Sequence, residues 1–227
     1  MKWLLVLPAA LLAYLAVVGG WAWASFDDAI ADVQVDAAAP LSPQQTAILT
    51  RVEDPAFFSH RGVSLEAGQG FATISSALAR DVYLSGTNFN SVNGMLQTLY
   101  RGVFTCCKKV DLGRDVMAVV LNVRMPKERQ LALYVAHVYM GTQNSMQVRG
   151  LPQAALMYLA KPLHTTSDDE FIALVAMIRA PNAFHPVRHR AAWADHVARV
   201  RALVSGHCHP DGWFDTALAD CTTNSQR

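Results

Sequence analysis

From Trp3 to Phe26 the chain carries no charge. At about 1.5 Å per helical residue, such a run is long enough to cross a hydrocarbon core of about 30 Å. Lys2 and the amino terminus flank it on one side, Asp27 and Asp28 on the other. The positive-inside rule then places the N-terminus in the cytoplasm and the body of the chain outside it. Trp21 and Trp23 suit the interface on the exit side. A cleaved signal peptide competes with the anchor, because Ala22-Trp23-Ala24 offers small residues for a cleavage site. The length of the run favours an anchor over residues 1–26. Residues 27–41 hold only acidic charges and the stretch Ala37-Ala38-Ala39-Pro40, the pattern of a short linker.

Past the linker the apolar spacing is helical. Ser42-Pro43-Gln44-Gln45 is a helix start: Ser42 caps, Pro43 fits the first helical position and Gln45 completes a capping box. That helix ends near Asp54-Pro55 and delivers Glu53 to its last turn. Residues 73–84 predict a helix from Ile74, Ala77, Leu78 and Val82. Gly86, Asn88, Asn90, Asn93 and Gly94 predict a polar loop over 85–94. An apolar helix comes next, over 114–124. Pro126 opens another that runs through Tyr139 and closes at Gly141, which puts Tyr134, Tyr139 and Met140 on one helical, core-facing stripe. Residues 151–160 form a short helix. Ser167-Asp168-Asp169-Glu170 is a second capping box, opening an apolar helix that stops before Pro181. Residues 190–205 make a basic amphipathic helix closed by Gly206. No alternating run predicts a strand. The fold class is therefore mainly α, one domain over 42–206 with a tail over 207–227.

Composition narrows the partners. The chain has 227 residues, enough for one domain with a sizeable core, and its formal net charge of +1 argues against nucleic acid. Hydrophobic residues at 52% against 16% charged tilt the balance toward a membrane segment. Of the 4 cysteines, Cys208 and Cys221 lie in the short tail, and an extracytoplasmic location allows them to pair. The vicinal Cys106-Cys107 is poorly placed for a relaxed bond with itself. A metal site drawing on Cys106, Cys107, Cys208, His207 and His209 is conceivable, but no second pair with zinc-like spacing accompanies it.

The candidate chemistry starts at Glu53-Asp54-Pro55-Ala56-Phe57-Phe58-Ser59-His60-Arg61-Gly62. An apolar neighbourhood raises a carboxyl pKa and suits it to proton transfer near neutral pH, although an acidic pair at a helix end is more often simply solvated. Glu53, Asp54, Phe57, His60 and Gly62 resemble the first signature of the family 51 glycosyltransferases, Glu-Asp-x-x-Phe-x-x-His-x-Gly. These are the peptidoglycan glycosyltransferases of class A penicillin-binding proteins and of monofunctional biosynthetic transglycosylases. Gly70 to Asp81 is similar in frame to the second signature, Gly-x-Ser-Thr-Ile-Thr-Gln-Gln-Leu-Ala-Lys-Asn, with Ser76 and Ala77 where two glutamines are expected. Leu133 to Gly141, Ala154 to Lys161 and Arg179 to Pro186 resemble three later segments in the family's order. Where the third signature, Arg-Lys-x-x-Glu, should place a second catalytic carboxylate, ungapped counting places Arg114, with Asp115 adjacent and Asp111 nearby.

The resemblance implies a lysozyme-like helical domain behind one transmembrane helix, on the extracytoplasmic side of a bacterial inner membrane. It implies polymerisation of a lipid-linked disaccharide, lipid II, into glycan strands, with Glu53 as general base. Asp54, His60, Thr73, Ser75, Arg80, Lys109 and Arg114 are then the substrate-binding candidates. Arg80 stands at the family's lysine position, suited to a pyrophosphate oxygen. Lys109 and Arg114 belong to a basic strip with Arg101 and Lys108. Each has a plainer alternative: Asp54 as a turn cap, His60 as a loop brace, the cations as a solvated face. No dedicated metal ligands are expected, although a divalent cation such as Mg²⁺ suits the pyrophosphate. The implied partners are the lipid-linked precursor, the growing strand, the bilayer and other cell-wall synthesis proteins. Three functions stay open: an active polymerase, an impaired relative that binds precursor or glycan as a scaffold, and a glycan-cleaving enzyme using Glu53 alone.

Overall fold

The computed structural model describes residues 3–31, 40–70, 72–86, 88–104 and 111–222. Its first elements are α1 (Trp3–Ala24), α2 (Phe26–Ala31), α3 (Pro43–Glu53), α4 (Ile74–Ala79), α5 (Ser91–Phe104), α6 (Leu112–Arg124) and α7 (Lys127–His137). The later ones are β1 (Tyr139–Gln143), β2 (Met146–Arg149), α8 (Leu151–Leu159), α9 (Asp168–Val175) and α10 (Arg190–Val204). The mainly helical class that the apolar spacing predicts is the class observed. The chain divides into two compact units, one drawn from residues 1–34, 58–64 and 71–130, the other from 35–57, 65–70 and 131–227.

In the first unit α1 and α4 pack on α6. Ile74 and Leu78 of α4 are buried, as are Met117, Ala118 and Leu121 of α6. The last turns of α1 belong to this core: Val18, Trp21 and Ala22 are buried, and the Tyr83 hydroxyl donates to the Ala22 carbonyl at 3.0 Å. Its opening turns are exposed at Leu7 and Leu12. Residues 27–31, expected to begin a linker, are helical instead, and α2 buries Phe26 and Ala29. Most of the remaining linker expectation, over 32–39, lies outside the described residues. The helix expected over 73–84 is α-helical only to Ala79 and then widens into a π-helix, Arg80–Gly86, which buries both Val82 and Tyr83.

The polar loop expected over 85–94 is shorter than its composition suggests, because α5 begins at Ser91. The preceding Asn and Gly residues hide the helical spacing of Val92, Met95, Leu96, Leu99, Tyr100 and Val103. This helix is partly inverted. Gln97 is buried and donates to the Tyr83 carbonyl at 2.7 Å, while Val92, Met95, Leu99 and Val103 are exposed.

In the second unit α3, α9 and α10 enclose a core that includes Ile48, Leu49, Phe171, Leu174, Val175, Val200 and Leu203. Both expected capping boxes are present, Ser42 with Gln45 and Ser167 with Glu170. The helix expected to reach Tyr139 stops at His137, and the next element is a strand that the pattern does not predict. β1 pairs antiparallel with β2 through Asn144 and Ser145, whose φ of 51° and 64° suits a tight hairpin. Gly141, with φ +103°, sits at the register shift in β1 and closes no helix. The short strands and the bulge hide the alternation. Cys208 and Cys221 form a disulfide.

Candidate functional site

Helix α3 ends at Glu53, the candidate general base. Asp54 caps it, its N–H donating to the Thr50 carbonyl at 2.8 Å, and the adjoining Pro55 has no N–H to continue the ladder. Asp54 is buried, and its carbonyl accepts from Phe57 N–H at 2.9 Å, which shapes the turn. Glu53, the last helical residue, lines a cavity of about 240 Å³ whose wall includes Arg51, Arg179, His196, His209, Pro210 and Thr216. The Tyr134 hydroxyl donates to its carboxylate at 3.2 Å, and Gln69 Nε2 donates to its backbone carbonyl at 3.1 Å.

Loss of hydration pushes the Glu53 carboxyl up to about 7 from 4.5. The Arg179 charge and the Tyr134 hydrogen bond pull the other way, and the neighbouring Asp54 adds to the rise. A carboxyl poised there is half ionised at neutral pH, so it can take a proton from a bound hydroxyl and release it again. His196 adds no competing charge. It stacks on Phe184 at 4.1 Å between ring centres, and burial, then Arg179 and Arg199, lowers its pKa to about 4.

Of the residues singled out in the sequence, Glu53 and Asp54 lie in the second unit, and His60, Thr73, Ser75, Arg80 and Arg114 in the first. His60 Nδ1 accepts from Gly62 N–H at 2.8 Å. The Thr73 hydroxyl donates to the Gly62 carbonyl at 2.7 Å and caps α4 reciprocally with Ser76. Ser75 is buried; its hydroxyl donates to Gln130 Oε1 at 2.7 Å and accepts from Lys127 Nζ at 3.3 Å. Thr73, Ser75 and Ser76 thus have their hydroxyls engaged within the protein. Arg80 is half exposed and pairs with Asp81 at 3.2 Å. Arg114 is buried on α6, 3.5 Å from Asp115. Burial raises the Asp115 pKa against the pull of Arg114. Asp111 caps α6 by accepting from Arg114 N–H at 3.0 Å, and also accepts from Tyr100. Lys109, with Lys108, Cys106 and Cys107, lies outside the described residues.

Tyr134 and Arg179 are site residues that the sequence does not reveal. The helical stripe marks Tyr134 as core, correctly for its buried ring but not for its hydroxyl. Arg179 opens the last of the resembling segments, Arg179 to Pro186, with no site role expected for it. Its one signal is a lone cation directly after the apolar run Phe171 to Ile178. Among the described residues, no three His, Cys, Asp or Glu side chains converge to hold a metal ion. Cys208 is committed to its disulfide, which removes it from the conceivable Cys and His cluster.

The family model described as Transglycosylase matches residues 31–205. Penicillin-binding protein 1B of Escherichia coli (strain K12) is 28% identical over 144 residues, which is 62% of this chain and 16% of that protein. Its namesake from Vibrio cholerae serotype O1 (strain ATCC 39315 / El Tor Inaba N16961) is 28% identical over 151 residues, 60% of this chain and 17% of that protein. Penicillin-binding protein 1A of Escherichia coli (strain K12) is 26% identical over 183 residues, covering 74% and 19% respectively. The matched stretch spans less than a fifth of the length of these relatives.

Proposed function

Because the chain belongs to the transglycosylase family, whose domain is lysozyme-like, we propose that it is a peptidoglycan glycosyltransferase that polymerises a lipid-linked disaccharide with Glu53 as general base. The observation that carries this reading is the Glu53 carboxyl, raised to about 7 on a cavity wall and held by Tyr134. In the reaction a hydroxyl oxygen of the acceptor disaccharide attacks the anomeric carbon of the growing strand. Its proton passes to the Glu53 carboxylate. The bond from the anomeric carbon to the pyrophosphate oxygen breaks, and the lipid pyrophosphate leaves with the electron pair. Arg80, Lys109 and Arg114 are the cations assigned to the pyrophosphate charge. Asp54, His60 and Thr73 are assigned to shaping the substrate side through the backbone they hold, and Ser75 through the Gln130 and Lys127 side chains that its hydroxyl meets.

The bilayer is the proposed platform, with the body of the chain on the extracytoplasmic side. Two features of the first unit support it. One helix, over Val6–Ala24, is long and apolar enough to cross a membrane, and α5 exposes Val92, Met95, Leu99 and Val103. The test is a gel assay for glycan chains made from lipid-linked precursor. Glu53→Gln keeps the shape and removes the proton acceptor, so polymerisation is expected to fall about 10²–10⁴-fold with precursor binding intact. Equal rates in wild type and variant would remove Glu53 from the chemistry.

Two observations favour a second reading. Arg114 stands where the family's second carboxylate is expected, and Ser76, at a glutamine position, is buried in a capping box. A chain so altered would bind precursor and serve as a scaffold. Wild-type protein that binds precursor but makes no glycan would establish that reading.

A further inference from the structure

The stretch matched by the family model stops at residue 205, and the tail beyond it is built into the wall of the Glu53 cavity. The disulfide between Cys208 and Cys221 closes a loop whose far end is anchored by buried Leu218 and Cys221, beside α10. His209, Pro210, Thr216 and Leu218 of this loop line the cavity. The loop also docks on the turn at residues 65–70. Gly68 N–H donates to the Gly212 carbonyl and Gly70 N–H to the Trp213 carbonyl, both at 2.9 Å.

Both glycines have positive φ, +75° and +66°. A Cβ would come 2.6 Å from Pro210 Cγ at the first and 2.9 Å from Thr216 Cγ2 at the second. Gln69, held between them, is buried and gives its Nε2 hydrogen to the Glu53 carbonyl at 3.1 Å. The contacts form one chain of support, from disulfide to loop, from loop to turn, and from turn to the last residue of α3.

We propose that residues 208–221 are a disulfide-closed strap that positions Glu53, with Gln69 as the positioning residue between them. The proposal rests on the reading of Glu53 as the base. The strap has two separable effects. It fixes the end of α3, where misplacement on the order of 1 Å costs about 10²-fold in rate. It also keeps water from one side of the cavity, and loss of hydration is the main cause of the raised Glu53 pKa. The charged and titratable groups around that carboxyl are Arg51 and Asp54 at the end of α3, Tyr134 on α7, Arg179 beyond α9, His196 on α10 and His209 on the strap. Asp215 on the strap acts on Arg179 in turn. Opening the strap should therefore lower kcat with little change in KM, and move the acid limb of the pH–rate profile down from about 7 toward 4.5.

The experiment uses the full chain in three further forms: reduced under native conditions by a phosphine, the Cys208→Ser/Cys221→Ser double variant, and Gln69→Ala with the disulfide intact. Hydrogen exchange reads the amides of Gly68 and Gly70. Glycan synthesis across pH reads the chemistry, and carbon NMR titration reads the Glu53 carboxyl. Opening the disulfide is expected to speed exchange at both glycines and lower the Glu53 titration point. Gln69→Ala is expected to lower kcat by up to about 10²-fold. Unchanged exchange on opening the disulfide overturns the strap. So does faster exchange with the Glu53 titration and pH profile unmoved, or Gln69→Ala with wild-type kcat. If wild type makes no glycan, the base assignment fails separately. The strap is then judged on exchange and titration alone, with a lowered titration point supporting it and an unmoved one overturning it.

Discussion

At the scale of single residues, the Glu53 carboxyl makes the stability of the fold depend on pH. In the unfolded chain its carboxyl loses its proton near 4.5, whereas in the folded protein it holds it to about 7. Between those values unfolding releases a proton, so this group makes the fold less stable as pH rises through the window. Gln cannot ionise. Glu53→Gln should therefore raise the melting temperature at pH 8 and leave it unchanged at pH 4, a sign opposite to that of most carboxylate deletions. Tyr134 tests the same carboxyl from the other side. Its hydroxyl favours the ionised form, so Tyr134→Phe should push the Glu53 pKa further up. Activity at pH 7 should then fall and recover at higher pH. An acid limb that stays in place would show that the hydroxyl does not act on the group that sets it. Glu53 is legible in the sequence because its motif lies within ten consecutive residues and a capping box sets its helix. Tyr134 and Arg179 are not, since each is far from it along the chain and only tertiary packing brings them to one carboxyl. Side-chain spacing within a helix carries no information about which distant carboxylate a phenol will meet.

At the scale of elements, the capping motifs are readable and the irregular segments are not. A capping box needs only four residues and a local hydrogen-bond exchange, so Ser42 with Gln45 and Ser167 with Glu170 can be read directly. The hairpin of β1 and β2 lacks that advantage. Its two strands are short and the glycine bulge interrupts the alternation. The π-helix at Arg80 is equally hidden, because a change from a 3.6-residue turn to a wider one leaves the same apolar residues in place. The start of α4 shows how an element can absorb residues that look like substrate contacts. Thr73 caps that helix and holds the carbonyl of Gly62, a residue at φ +112°. Thr73→Ala should cost about 1–2 kcal/mol, whereas Thr73→Ser, which keeps the oxygen, should cost much less. Denaturant unfolding of the two variants measures the difference. Equal stability of wild type and Thr73→Ala would leave the hydroxyl without this structural role.

At the scale of the whole molecule, the N-terminal helix meets two requirements along its length, exposure at its start and burial at its end. Its opening turns expose Leu7 and Leu12, as a membrane segment requires. Its closing turns are part of the first unit. Trp21 is buried with ring centres 5.8 Å from Phe89, 6.0 Å from Tyr83 and 6.5 Å from Tyr100. Arg124 lies over Trp23 at 4.8 Å and grips Asp27 through both carboxylate oxygens at 2.9 and 3.0 Å. Cleavage after Ala24 would remove Trp21 and Ala22 and open a hole in that core. Loss of a buried Trp side chain alone typically costs about 3–5 kcal/mol, a large part of the stability of a domain. The mature protein is therefore expected to keep this helix. N-terminal sequencing should not begin at Ser25, and carbonate washing should leave the chain with the membrane. A chain shortened to begin at Phe26 should lose the first unit's cooperative unfolding, whereas replacing exposed Leu7 and Leu12 with Ala should weaken membrane retention and leave that unfolding unchanged. If the shortened chain unfolds as cooperatively and at the same temperature as the full one, the closing turns of α1 are only a tether.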